Sequence, residues 1–254
     1  MTELAFVVGS GRCGTNMITK LLAGVDHIEA HHEYVRDYHQ KVGTQYHAGL
    51  RSKDWTKDYY SHVYESAAHY SDAKIFLDSS NKLTWVVDVL KDFDPRLIHL
   101  VRDGRKVVSS FLHKLNIYDD RHTEITRKWM SYGGIIPPPN EEYWWPVPPA
   151  KYNQFQRICW YWVESNRHIM KHTDNRFKLE DLTTSRDELT RLLNYLDVEY
   201  NESFMSAMQK PKHVYVPVDF PLSGVQNEQF SEIAGDLMNE LEYSGEEYRV
   251  KYQM

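Results

Sequence analysis

Close to the start of the chain stands Gly9-Ser10-Gly11-Arg12-Cys13-Gly14-Thr15-Asn16, entered from the apolar run Leu4–Val8 and followed by a helical pattern. A glycine-rich turn between a strand and a helix N-terminus is an anion cradle. Glycines let the backbone turn tightly, its N–H groups gather, and the helix dipole favours negative charge. Gly9 and Gly14 have the G-x-x-x-x-G spacing of a Walker A loop, but Thr15 and Asn16 stand where Lys and Ser or Thr would hold β/γ-phosphates and magnesium. The positive charge lies inside the loop instead, at Arg12. An internal cation suits a 5′-phosphate whose neighbouring group departs without a metal. Cys13 reads as a small space-filling residue rather than a low-pKa nucleophile. The bland alternative for the whole segment is a tight turn.

A second constellation follows the run Leu97–Val101, which ends in Arg102-Asp103-Gly104-Arg105 and continues as Lys106-Val107-Val108-Ser109-Ser110-Phe111. Ligands of open α/β sheets bind at the carboxyl ends of the strands. An arginine fork there, with a hydroxyl from the following helix, makes a second phosphate site. Two phosphate sites on one sheet imply a nucleotide phosphorylated at two separate places.

At these residues the chain resembles the sulfotransferase superfamily. Gly11-Arg12-Cys13-Gly14-Thr15-Asn16 looks like the family's 5′-phosphosulfate loop, in which Lys or Arg precedes Ser-Gly-Thr-Thr. Leu100-Val101-Arg102-Asp103-Gly104-Arg105 with Ser110 looks like its 3′-phosphate motif, and the eight-residue step from Arg102 to Ser110 is the family's spacing. Phe177-Lys178-Leu179-Glu180-Asp181-Leu182 is similar to the strand ending Tyr-Glu-Asp-Leu, and Leu196-Asp197-Val198 to the family's Leu-Gly-Val. The similarity covers about residues 4–200. It looks closest to Golgi-type and protein-tyrosine sulfotransferases and their bacterial relatives, which share Val-Arg-Asp-Gly-Arg. Asn16 departs from the loop's second Thr, and Leu179 stands where the family often has an adenine-contacting Tyr. The C-terminal basic cofactor loop is not recognisable, although Lys210, Lys212 and His213 lie in its general region.

The resemblance implies 3′-phosphoadenosine-5′-phosphosulfate (PAPS) as co-substrate, adenosine 3′,5′-bisphosphate (PAP) as product, and no metal. Gly11, Arg12, Cys13, Gly14, Thr15 and Asn16 would hold the phosphosulfate, with Arg12 neutralising the departing phosphate. Arg102 and Ser110 would bind the 3′-phosphate. The resemblance also assigns the base that takes the acceptor proton to Glu33, 21 residues after Arg12. His31 and His32 are rival bases, since imidazole has the most suitable intrinsic pKa. Asp78 is a further base or orienting candidate, or a strand-end carboxylate capping the next turn. Glu33 as a solvated surface carboxylate, and His27, His31, His32 and Glu33 as metal ligands, are the remaining readings; no second ligand cluster supports the metal.

The elements that must position these residues follow from hydrophobic patterning. Strands are expected at Leu4–Val8, Lys74–Leu77, Leu97–Val101 and Arg176–Leu179. Helices are expected near Thr15–Ala23, Lys57–Tyr70, Lys82–Lys91, Arg105–Lys114, Asn153–His172, Arg186–Leu196 and Asn227–Leu241. Short apolar runs alternating with helices predict an α/β fold, a P-loop-type parallel sheet flanked by helices, as a single domain over 1–254 with helical insertions. Residues 132–150 carry Pro137-Pro138-Pro139, Tyr143-Trp144-Trp145, Pro146, Pro148 and Pro149, which exclude a regular helix or central strand. That segment reads as a surface loop packed by its own aromatics or as a substrate lid.

Composition bounds the partners. The 254 residues carry 30 Lys and Arg against 36 Asp and Glu, a net charge of −6, which argues against a general nucleic-acid or membrane-surface binder. Only Cys13 and Cys159 are present, so a reducing, cytoplasmic setting is expected and a disulfide framework is not. The acceptor could be a small molecule, glycan or peptide hydroxyl. A P-loop small-molecule kinase and a non-catalytic nucleotide-binding protein are the alternative functions.

Overall fold

The computed structural model describes residues 2–47, 49–114, 152–210 and 222–243. Among them β1 (Glu3–Val8), β2 (Ile28–His32), β3 (Ile75–Ser79), β4 (Arg96–Val101) and β5 (Arg176–Lys178) form one parallel sheet in the order β2-β3-β1-β4-β5. The helices are α1 (Thr15–Leu22), α2 (Arg36–His47), α3 (Lys53–Tyr70), α4 (Val87–Leu90), α5 (Gly104–Lys114), α6 (Gln154–Met170), α7 (Leu179–Thr184), α8 (Arg186–Tyr195), α9 (Glu202–Gln209) and α10 (Gly224–Glu240). This is the α/β architecture expected from the patterning, with helices on both faces of the sheet.

The period of two along a strand divides the core. Ala5, Val7, Ile75 and Leu77 face α1, α8 and α9, packing with Ile18 and Leu192. Phe6, Val8 and Phe76 face the other way, against Tyr60 and Tyr64 of α3. A third cluster, including Val107, Trp162 and Phe230, joins α5, α6 and α10. Each fully buried side chain of this size contributes roughly 1.5–3 kcal/mol. The same alternation sends Asp78 to the α3 face and Ser79 to the α1 face, a division that decides the roles of both.

Several expectations are corrected. Ile28–His32 is a strand that the patterning did not indicate: it lies at the sheet edge, and its Glu29, His31 and His32 replace the apolar run of a central strand. Asn81–Val86 is a 3-10 helix, followed by the single turn α4 and a second 3-10 turn, where a continuous helix over Lys82–Lys91 was expected. Leu83, Thr84, Trp85 and Val86 are all buried, so this stretch is enclosed by its neighbours and shows no solvent stripe. Helix α3 begins at Lys53 rather than Lys57, because the Ser52 hydroxyl accepts from the Trp55 N–H at 3.2 Å and caps the earlier turn. Leu179 opens α7 instead of closing β5, and α2 and α9 are further helices. The 132–150 segment lies outside the described residues. Among the described residues no helix is long and apolar enough to cross a membrane.

Candidate active site

The loop between β1 and α1 is bent by two left-handed residues, Arg12 at φ 68° and Gly14 at φ 105°. Alternation of this kind forms the concave backbone nests that take anions. At Gly14 a side chain is excluded twice over, by the backbone angle and by Leu179, whose Cδ1 would lie 2.9 Å from an added Cβ. At Gly9 a Cβ would meet the Leu100 carbonyl oxygen at 2.3 Å, so the loop is pressed onto the end of β4. Leu179 thus packs under the loop, which gives the residue at the expected adenine-contact position a different neighbour. Arg12 has no glycine's freedom, and its conformation is held from outside. Its carbonyl accepts from Arg102 Nη1 at 3.0 Å, and its Nε donates to Ser110 Oγ at 2.8 Å. Thr84 Oγ1 donates to the Gly9 carbonyl at 2.9 Å.

Cys13 is fully buried, and burial pushes its thiol up to about 12. A protonated, enclosed thiol is no nucleophile.

Arg102 stands just past β4. Trp162 Nε1 donates to its carbonyl at 3.2 Å, which fixes the turn. Arg102 Nε is buried and has no hydrogen-bond partner among the described residues, and Ser10 Oγ is in the same condition. A buried guanidinium N–H without an acceptor costs on the order of 1–3 kcal/mol, a cost that an anion at this spot removes. The rest of the motif serves the backbone. Asp103 Oδ1 accepts from the Arg105 N–H at 2.9 Å and starts α5, and the Arg105 side chain folds back onto the same carboxylate at 2.6 Å. The Asp103 N–H donates to Glu180 Oε1 at 3.1 Å, and Tyr243 donates to Glu180 Oε2 at 3.0 Å. Burial pushes the Glu180 carboxyl up to about 7, against the pull of the nearby Arg102 charge. The structure therefore brings Arg12, Arg102 and Ser110 together, with Ser110 engaged by Arg12.

Glu33 directly follows β2 and so lies at the carboxyl end of the sheet, half-buried. Glu33 and Val35 are both left-handed, at φ 56° and 52°. Ser79 ties this turn to the loop: its carbonyl accepts from the Glu33 N–H at 3.3 Å and from His32 Nδ1 at 2.8 Å, while its hydroxyl donates to the Thr15 carbonyl at 2.9 Å. Thr19 Oγ1 adds a bond to the His31 carbonyl at 3.1 Å. The rival imidazoles are committed to other partners. His31 bonds Glu29 at 2.8 Å and stacks on Phe76, and His32 is the Ser79 donor.

Asp78 does not cap the turn that follows it, as its strand-end position suggested. Ser80 does that, accepting from the Lys82 N–H at 3.0 Å. Asp78 instead accepts from the Tyr34 N–H at 3.1 Å, across the sheet edge. It is fully buried, and burial pushes its carboxyl up to about 7. Ser79 escaped the sequence reading, and its signal was a polar residue closing an otherwise apolar, buried strand. Glu180 stands in the first turn of α7, within the motif similar to Tyr-Glu-Asp-Leu, and no spacing announces its bond to the Asp103 N–H. Among the described residues no three His, Cys, Asp or Glu side chains converge so as to hold a metal ion. Lys212 and His213 lie outside the described residues, and Lys210 ends the segment containing α9.

No protein-family model matches the chain, and no curated protein matches it. Solved structures do. The sulfotransferase STF9 from Mycobacterium avium superposes with a TM-score of 0.57 at 12% identity, over 94% of this chain and 76% of that one. The sulfotransferase domain of the Synechococcus PCC 7002 olefin synthase gives 0.51 at 15% identity, over 93% and 96%. The five-stranded parallel sheet flanked by helices is thus the sulfotransferase fold.

Proposed function

We propose that this chain is a PAPS-dependent sulfotransferase acting on a hydroxyl acceptor. The observation that carries the reading is the convergence of Arg12, Arg102 and Ser110 beside a left-handed glycine loop, with the buried Arg102 Nε lacking any acceptor among the described residues. A buried guanidinium N–H without an acceptor favours an anion beside it. The absent Walker A lysine speaks against a magnesium-nucleotide site.

PAPS supplies the sulfuryl group and a leaving phosphate when bound. The Gly11–Asn16 backbone, with the Thr15 and Asn16 side chains, cradles the 5′-phosphosulfate. Cys13 contributes only its backbone, because its side chain is buried. Arg12 neutralises the charge that develops on the leaving phosphate, a contribution of the oxyanion-stabilising kind. Arg102 and Ser110 bind the 3′-phosphate and select PAPS over ATP. Glu33 takes the proton of the acceptor hydroxyl as its oxygen bonds to sulfur. In-line positioning and electrostatics provide the remainder, as in phosphoryl transfer.

The test is calorimetry with PAP in the absence of magnesium, joined to sulfur-labelled PAPS with a panel of sugar, phenol, alcohol and tyrosine-peptide acceptors. Binding of PAP well above AMP and ATP, with label transferred to one acceptor class, is the expected result. Magnesium-dependent turnover of ATP would make the chain a kinase, and PAP binding without turnover a non-catalytic nucleotide-binding protein.

A further inference from the structure

We infer that Asp78 is the positioning residue of the Glu33 turn: it clamps the Tyr34 backbone and is itself set by a buried chain of donors from α2 and α3. The inference rests on the reading of Glu33 as the base.

The geometry gives that chain a direction. The Tyr59 hydroxyl lies 3.5 Å from His39 Nδ1, His39 Nε2 lies 2.9 Å from the Tyr64 hydroxyl, and the Tyr64 hydroxyl donates to Asp78 Oδ2 at 2.7 Å. A phenol has one proton to give. Since Tyr64 spends its proton on Asp78, His39 Nε2 must carry the hydrogen and Nδ1 accepts from Tyr59. His39 is then neutral, in accord with burial pushing its imidazole down to about 4. The Tyr34 N–H supplies the remaining bond, to Asp78 Oδ1. Each of the two hydrogen bonds at the carboxylate is donated to it.

What Asp78 holds is a turn that does not hold itself. Glu33 and Val35, on either side of the clamped Tyr34, are both left-handed without being glycine, and a β-branched residue is an outlier there. Such strain persists only where the surroundings over-determine it. The Asp78–Tyr34 bond and the Ser79–Glu33 bond restrain it from β3, and the His39 N–H bonds the Val35 carbonyl from the start of α2.

The clamp is also sensitive to protons. Asp78 faces Tyr60 and Tyr64 from α3, His39 from α2, His31 from β2, and Glu33 and Tyr34 from the turn; opposite it on β1 is the apolar Phe6. Burial is the largest effect on its carboxyl, raising it to about 7. Protonation would put a donor where Tyr64 already donates, so the chain has to reverse and the charge-assisted bond to Tyr34 is lost.

The experiment is amide hydrogen exchange at Tyr34, corrected for intrinsic rate, on the full-length wild type, Asp78→Asn and Tyr64→Phe. PAP affinity and turnover with PAPS are measured alongside. In the wild type, protection of Tyr34 should fall about tenfold between pH 8 and pH 6, following the ionised fraction of a carboxyl that titrates near 7. Asp78→Asn keeps an acceptor oxygen but has no proton to gain, so its protection should be flat across that range. Both variants should lose roughly tenfold in turnover while PAP affinity stays within about twofold. Tyr34 protection that ignores both pH and the variants would overturn the clamp. A turnover loss matched by an equal loss of PAP affinity would make Asp78 a general stabilising residue. If protection behaves as described and the wild type transfers no sulfuryl group, the clamp stands and the reading of Glu33 as base fails.

Discussion

Two turns at the carboxyl end of the sheet carry the proposed site residues, and each is held by a buried carboxylate. Under the Arg102 turn, Glu180 accepts one backbone N–H, from Asp103, and one tyrosine hydroxyl, from Tyr243. Under the Glu33 turn, Asp78 accepts one backbone N–H, from Tyr34, and one tyrosine hydroxyl, from Tyr64. Burial raises both carboxyls to about 7. Each also has charged neighbours of both signs: Arg102 favours ionised Glu180 and Asp103 disfavours it, while His31 favours ionised Asp78 and Glu33 disfavours it. The Arg102 turn is also a helix start with its own cap, Asp103, so much of its restraint is local. The Glu33 turn also leads into a helix, with the Val35 carbonyl accepting from the His39 N–H at 3.2 Å, but the side chain that bonds its backbone, Asp78, reaches it from β3.

The largest effects should separate the two turns cleanly. Glu33→Gln keeps size and polarity but cannot take a proton, so turnover should fall about 10²–10⁴-fold with PAP affinity nearly unchanged. Arg12→Ala should lower turnover about 10²–10³-fold. Arg12→Lys should recover part of that loss, because a point charge still neutralises the leaving phosphate. Steady-state assays paired with calorimetry check both. A Glu33→Gln enzyme that failed to bind PAP would merge the two regions into one.

A smaller effect is expected from Arg102→Ala, which removes a charge-assisted contact. PAP affinity should drop about tenfold to a hundredfold by calorimetry, and AMP affinity should barely change. Equal losses for AMP and PAP would move Arg102 from the 3′-phosphate to the loop, where its bond to the Arg12 carbonyl already places one of its nitrogens.

How far these turns can be read from sequence follows the same division. The Arg102 turn is contiguous: strand, arginine, cap and helix all fall within Leu97–Ser110, and the expected strand end at Val101 agrees with β4. The glycine loop is legible for the same reason. The Glu33 turn is assembled from residues 33, 34, 39, 64, 78 and 79, whose proximity depends on β2 adding to the sheet edge. That strand is half polar because one edge faces solvent, so no apolar run announces it. Sequence alone therefore leaves Asp78 open between base, orienting group and local cap, since the pairing of His31 with Asp78 across two strands leaves no trace in sequence spacing.

The smallest effect is on stability against pH, and it treats the two carboxylates alike. Folded Asp78 and Glu180 titrate at about 7, above their ordinary values of 3.8 and 4.5. The stability they contribute is present at low pH and is lost as pH rises from about 4 to about 7. His39, His99 and His168 act oppositely: burial holds them near 4, 3 and 4, below the ordinary 6.5, so their contribution is lost as pH falls through that interval. Near pH 5.5 these three histidines bind about three more protons in the unfolded chain, His47 and His172 are shifted in the same direction, and the two carboxyls hold about two more in the folded chain. The histidines prevail, so stability should rise with pH there. Replacing either carboxyl by its amide removes one folded-state proton, so Asp78→Asn and Glu180→Gln should each steepen the rise by about 1.4 kcal/mol per pH unit. Urea unfolding between pH 5 and 6 measures it. A slope that steepens for Glu180→Gln and stays put for Asp78→Asn would show Asp78 already ionised at pH 5.5, and the likeness between the two turns would end there.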